Sequence, residues 1–141
     1  MTDPEMANMI LPLRTVSLTN QRTHWAVKAR RARAERITVA TLWTGRTLKA
    51  GEIAGIWLCR VAPRRLDDDN LRAALKSIRD RVAEELGVDD GSERLIWMYE
   101  QRRGKPKEYA VLVEVRYSDA ARSMLHAPVQ AEAARPRGDK A

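Results

Sequence analysis

The 141-residue chain carries 26 Lys and Arg against 19 Asp and Glu, and this net charge of +7 favours an anionic partner. One domain is expected at this length, and no apolar run approaches the ~20 residues of a membrane-spanning helix. The single Cys59 excludes both a disulfide framework and a thiolate metal site, and reads as a small core residue in a reducing cytosol. Phe is absent, so four Trp carry much of the bulk, and they read as core more readily than as base-stacking platforms.

Residues 1–8 form a loose terminus whose start, Met1-Thr2-Asp3-Pro4-Glu5, is acidic and unlike a signal peptide. Met9 to Leu18 is β-like, with Pro12 suggesting an edge position, and Thr19-Asn20-Gln21 reads as a turn. Trp25 to about Trp43 is expected to be helical, with Trp25, Ala29, Ala32, Ala40 and Trp43 on one face and the Arg/Lys cluster opposite. β-branched residues at Ile37-Thr38-Val39 weigh against it. Between Arg22 and Lys49 stand eight basic residues (Arg22, Lys28, Arg30, Arg31, Arg33, Arg36, Arg46, Lys49) and one acid, Glu35. The excess there equals that of the whole chain, so the basic surface is one patch, with nucleic-acid phosphates as its target.

Gly45 to Gly51 is a loop. Ile53 to Ala62 is apolar on both alternating sets apart from Arg60, as in a central strand covered on each side, and Pro63 stops it. Leu71, Leu75, Ile78, Val82 and Leu86 recur at helical spacing, and Gly87 closes that helix. Leu95 to Glu100 and Tyr109 to Tyr117 read as strands of a hairpin joined by the basic turn Arg102-Arg103-Gly104-Lys105-Pro106-Lys107. The order β-α-β-α-β-β predicts an α/β (α+β) domain over 1–117, a small mixed sheet with the helices packed on it. Residues 118–141, rich in Ala, Pro and Arg, are expected to be a disordered tail.

Leu66-Asp67-Asp68-Asp69-Asn70-Leu71 lies between the central strand and the next helix, and Asp89-Asp90 follows that helix. A strand end, a helix start and a loop can deliver oxygen ligands to one point, as hard divalent cations require. One Asp also serves as an N-cap, so spacing alone leaves a metal site and a cap at even weight. In an extended 67–69 segment Asp67 and Asp69 share a face and are the expected ligands, with Asp68 as cap or spectator and Asp90 or Asp89 completing the set. Mg²⁺ suits such carboxylates and keeps positions for phosphate oxygens. Lys76, seven residues past Asp69, points in nearly the same direction and can contact a phosphate or leaving oxygen; the alternative is a surface pair with Asp80. His24 and His126 are isolated, and there is no Gly-rich phosphate loop or Cys/His metal spacing.

At these residues the chain resembles the RusA family of crossover junction endodeoxyribonucleases, the phage-type Holliday junction resolvases. The shared pattern is Arg64-Arg65-Leu66, then Asp67-Asp68-Asp69-Asn70-Leu71 opening a helix, then Asp89-Asp90; Leu11-Pro12 and Ser17-Leu18-Thr19-Asn20 echo the family's first strand and turn. The similarity runs from about residue 9 to 117. It implies a Mg²⁺-dependent homodimer in a bacterial cytoplasm, of phage or prophage origin, that nicks four-way DNA junctions symmetrically. By that resemblance Asp67, Asp69 and Asp90 are the metal-binding catalytic acids, assisted by Lys76. Asn20, Arg22, Lys28, Arg30, Arg31, Arg64, Arg65, Asn70, Arg72, Arg102, Arg103 and Lys105 would lie on the DNA. Two positions depart from the pattern. Position 73 is Ala where the family carries Lys, so Lys76 or Arg72 takes that role, and Leu66 stands where the best-known members have Arg.

Overall fold

β2 (Ala54–Ala62), apolar on both alternating sets, takes a partner on each side and forms the spine of the sheet. In the computed structural model, which describes residues 5–15 and 25–117, the elements around it are β1 (Met6–Leu11), α1 (Trp25–Leu42), α2 (Asp68–Ala74), α3 (Lys76–Leu86), β3 (Leu95–Arg103) and β4 (Ala110–Tyr117). They make a mixed α+β fold: a four-stranded sheet in the order β1-β4-β2-β3, with three helices.

The expected hairpin does not form. β3 pairs with β2 alone, in parallel, while β4 runs antiparallel between β2 and β1. The reason lies in β2: the α2–α3 crossover returns the chain parallel to one of its sides, so the next strand must take the other. The turn after β3 therefore spans the end of β2, where Gly104 N donates to Ala62 O at 2.9 Å.

Alternation sorts the sheet into two faces. Ala7, Met9 and Leu11, Ile56 and Leu58, and Val111, Val113 and Val115 form a core with Val39, Leu71, Leu75, Ile78, Val82 and Leu86 from the helices. On the other face Met6 and Ile10 are exposed. β1 is an edge strand, as Pro12 suggests, but it ends at Leu11 rather than running to Leu18, since Pro12 cannot extend the ladder.

α1 spans the predicted residues but turns only part of the expected face inward. Its buried residues are Glu35 and Val39, whereas Trp25 is 74% exposed at the helix start. α1 packs against α3 and β1, and its inward side includes Lys28 and Arg31 together with part of the expected Trp/Ala face: Ala32 lines the contact with α3 and Trp43 packs against the core, while Trp25 and Ala29 are exposed. The β-branched segment is accommodated: Thr38 and Thr41 donate their hydroxyls to Ala34 O and Ile37 O.

The single helix expected over 71–86 is kinked into two. Leu75 leaves the helical region at φ −100°, ψ 3°, although Leu75 N→Leu71 O (3.1 Å) and Arg79 N→Leu75 O (2.9 Å) carry the ladder across it. Gly87 ends α3 in the left-handed region at φ 82°, where a side chain would be strained. Among the described residues no helix is long and apolar enough to cross a membrane. The Thr19-Asn20-Gln21 turn, Arg22, His24, His126 and the 118–141 tail lie outside the described residues.

Candidate acidic site and nucleic-acid interface

Beyond Pro63 the chain leaves the sheet, and two side chains fix its path. Arg60, buried in β2, donates Nη1 to Arg64 O at 2.7 Å and Nη2 to Thr15 O at 3.2 Å. Burial pushes its pKa below the ordinary value, with Tyr109 acting the other way. Gln101 of β3 does for Leu66 what a neighbouring strand would do: Oε1 accepts from Leu66 N at 2.9 Å and Nε2 donates to Leu66 O at 2.7 Å. The residue before the acids is thereby docked on the sheet.

Asp67 is the N-cap of α2. Its backbone is extended (φ −70°, ψ 169°) and its Oδ1 accepts from Asn70 N at 2.9 Å. Asp68 and Asp69 fill the first turn, where the helix dipole favours carboxylates. Asp67 caps in place of Asp68, because its side chain is the one that meets the N–H three residues on. Asp69 is already helical, so strand alternation does not orient it.

At the other end of α3, Asp89 and Asp90 divide their tasks. Asp89 Oδ2 accepts from Gly91 N at 3.0 Å and shapes the turn. Asp90 faces β3: Arg79 donates Nε to Asp90 Oδ2 and Nη2 to Asp90 O, both at 3.1 Å, and Trp97 Nε1 donates to Asp90 O at 2.9 Å. Arg79 also donates Nη1 to Tyr99 Oη at 2.7 Å and lies 4.7 Å from the Trp97 ring centroid. Burial works against the Arg79 charge, but its bonds and attraction to Tyr99 and Asp90 outweigh burial and raise its pKa. Arg72 lies over the Tyr99 ring at 5.2 Å.

Trp97, Tyr99 and Gln101 alternate along β3 and so present one face. Asp90 is fixed at Trp97 and the acid loop at Gln101, about 13 Å apart on a strand, with Arg72 and Arg79 gathered at Tyr99 between them. The structure thus sets the two acidic groups on a common face with cations in the gap. Among the described residues it gathers no three His, Cys, Asp or Glu side chains that could hold a metal ion. The donors are right in kind for Mg²⁺. The cap occupies Asp67 Oδ1 and leaves Oδ2, Arg79 occupies Asp90 Oδ2 and leaves Oδ1, and Asp68 and Asp69 are exposed.

Lys76 opens α3 and pairs with Asp80 at 2.9 Å. Its pKa is raised, first by the hydrogen bond to Asp80, then by the Asp80 charge and, more weakly, by the charge of Asp90. The kink at Leu75 intervenes between Asp69 and Lys76, so the direction counted over seven helical residues does not carry across. Lys76 is tied to the Asp80–Asp90 side.

The basic residues fall into three places. Arg64 and Arg65 are exposed on the loop before the acids, with Asn70 half-buried behind them. On β3, Arg103 shares the Gln101 face by alternation, while Arg102 turns to the opposite face and lies 5.4 Å from the Trp57 ring; Lys105 is exposed in the turn that follows. On α1, Lys28 and Arg31 are half-buried towards α2–α3 and Arg30 is exposed. Sequence reasoning missed Arg60, Arg79, Trp97, Tyr99 and Gln101, which position the acids without being acids. The one visible signal was Arg60, a lone charge inside an otherwise apolar strand.

No family model matches the chain. A protein of Xylella fastidiosa (strain Temecula1), described as uncharacterized, is 35% identical over 94 residues, which is 61% of this chain. The chain spans about the same share, 61%, of the length of that relative.

Proposed function

We propose that the chain is a Mg²⁺-dependent, structure-selective endodeoxyribonuclease of RusA type, acting as a homodimer in a bacterial cytoplasm. It would resolve four-way junctions in recombination and repair by paired nicks. The observation that carries this reading is the common anchorage of the acid loop and Asp90 on one face of β3, with Arg72, Arg79 and Lys76 beside them. Asp67, Asp69 and Asp90 are the acids this reading assigns to the cation, although the described residues gather no three of them into one cluster; the cation when bound would supply Lewis acidity for phosphodiester hydrolysis. The side chains do the rest. Lys76 and Arg72 offer positive charge to the scissile phosphate, Gln101 and Arg60 hold the acid loop in place, and the α1 cations and Arg64, Arg65 and Arg103 steer the DNA backbone. Phosphate contacts of this type orient DNA without reading its sequence.

Specific observations favour a second reading, a non-catalytic DNA-binding module. Asp67 serves as a cap and Asp90 as the partner of Arg79, so both acids have a structural use. Incubating the full chain with a synthetic four-way junction, with and without Mg²⁺, separates the two. The nuclease reading expects Mg²⁺-dependent nicks that Asp69→Asn abolishes; binding without nicking by the wild type leaves the module. Flap and replication-fork substrates at equal salt test for action on other branches, and a monomer at micromolar concentration would count against paired nicking.

A further inference from the structure

Between α1 and the α2–α3 pair runs a cleft of about 320 Å³, at the lower end of the volumes of ligand sites. Three small residues, Ala32, Ala73 and Ala74, line it. Its charged lining is Lys28, Arg31 and Arg36 from α1 and Lys76 and Asp80 from α3, and Glu35 also lines it, hydrogen-bonded by Ser77 Oγ. Two of the cations are committed: Arg36 to Glu84 at 2.6 Å and Lys76 to Asp80 at 2.9 Å. Arg31 is different. Its Nη1 is shut off from solvent and has no hydrogen-bond partner among the described residues. Glu35 lies close enough to feel the Arg31 charge, yet its hydrogen bond comes from Ser77.

A guanidinium N–H is a strong donor, and Nη1 itself is out of reach of solvent, so it is the rest of the half-buried Arg31 guanidinium, which lines the cleft, that can meet an acceptor there. The acceptor that suits this cleft is an anion with several oxygens. Lys28 and Arg31 stand on one wall and can address it, while Lys76, paired with Asp80 on the other wall, adds its charge. Lys76 stands one turn of α3 before Arg79, which holds Asp90, so the cleft and the acidic site share that helix. We infer that the α1/α2–α3 cleft seats a backbone phosphodiester of a nucleic-acid strand running past the acidic site, with Lys28 and Arg31 as its main donors. This rests on the nuclease reading only for the identity of the strand; the anion site stands on its own residues.

The test begins with the ¹⁵N-labelled full chain and inorganic phosphate, against chloride at equal ionic strength. Amide shifts should centre on Ala32, Ala73, Ala74 and Ser77, and Arg31→Gln should lose them. An oligonucleotide lacking terminal phosphates should shift the same amides. If only free phosphate does so, the cleft is not a strand seat and the inference fails. Junction binding, measured by anisotropy in Ca²⁺, should weaken severalfold in Arg31→Gln, with the slope of log K against log salt falling by about 1. Lys28→Gln, on the cleft rim, should give the same slope change and serves if Arg31→Gln does not fold. Absent shifts at these amides, or an unchanged slope, would overturn the inference. Failure to nick junctions in Mg²⁺ would instead overturn the nuclease reading and leave the phosphate result standing.

Discussion

Gln101 and Leu66 form a two-way bridge: the carboxamide donates to Leu66 O at 2.7 Å and accepts from Leu66 N at 2.9 Å. A side chain thus takes the place of a strand and fixes the chain one residue before the acids. Gln101→Leu leaves both backbone groups of Leu66 without these partners, and a destabilisation of roughly 1–3 kcal/mol is expected. Hydrogen exchange at the Leu66 amide should accelerate well beyond the change in global stability. Unchanged protection there would mean that Pro63 and Arg60 alone set the path of the loop.

How much of this was legible can be judged from β2 and β3. The run of β2, apolar but for Arg60, announces a central strand, and Gly87 announces a helix end, because each depends on local chemistry. Strand pairing does not. Nothing within 95–117 tells β4 to avoid β3, since the choice is made by the crossover helix and by which side of β2 remains open. The site divides in the same way. Asp67–Asp69 and Asp90 stand out as acids at element ends, whereas Trp97, Tyr99, Gln101 and Arg79 read as ordinary strand and helix residues. Their roles arise only when α3 lies across β3. The face of α1 was legible only in part: Trp43 packs against the core as expected, but Val39 is buried and Trp25, at the helix start, is not.

Arg79 holds Asp90 by its carboxylate and its carbonyl, and adds the Tyr99 hydroxyl and the Trp97 ring. Arg79→Met preserves the aliphatic stem and removes all the polar links. A loss of roughly 1–3 kcal/mol is expected from hydrogen bonds to a charged group, read as a lower denaturant midpoint. Trp97 emission should shift as the cation leaves its ring. On the nuclease reading, nicking should fall at least about tenfold, since a misplaced catalytic group is costly. A variant with wild-type nicking would show that Asp90 needs no such support.

Tyr117 closes the sheet against the loop after α1. Its hydroxyl accepts from Arg46 N at 2.9 Å and donates to Arg46 O at 3.0 Å, while the Arg46 guanidinium, paired with Glu52 at 2.7 Å, lies 4.0 Å from the ring. Tyr117→Phe should cost roughly 1–3 kcal/mol by removing both hydrogen bonds of the hydroxyl to the Arg46 backbone. Gly45→Ala should do similar damage by a separate route: a Cβ there would stand 2.6 Å from the Tyr117 hydroxyl and 2.7 Å from the Trp43 ring. Thermal melts of both variants check this. Because the two changes press on one hydroxyl, the double variant should lose less than the sum.

Glu35 gives the pH dependence its sign. It is 6% exposed, and burial raises its pKa above 4.5, only partly offset by the Ser77 hydrogen bond and the Arg31 charge. A carboxyl whose folded pKa is raised stabilises the fold fully below its unfolded value, and that contribution is lost as pH rises through the folded value. Other charges line the same cleft, Lys28 and Arg36 on its own helix α1 and Lys76 and Asp80 across it on α3. The cations favour the ionised form and Asp80 opposes it, and both arginine and lysine partners keep their charge throughout this range. Glu35→Gln keeps an acceptor for Ser77 and removes the charge. It should therefore melt higher than the wild type near neutral pH, with the gap closing as pH falls through the raised folded value and below the ordinary Glu value of about 4.3, where the carboxyl becomes protonated in both states. Melting curves of the two proteins across that range decide it. A variant that is less stable at neutral pH would mean that the ionised Glu35, bonded by Ser77 and attracted by Arg31, outweighs the cost of its burial.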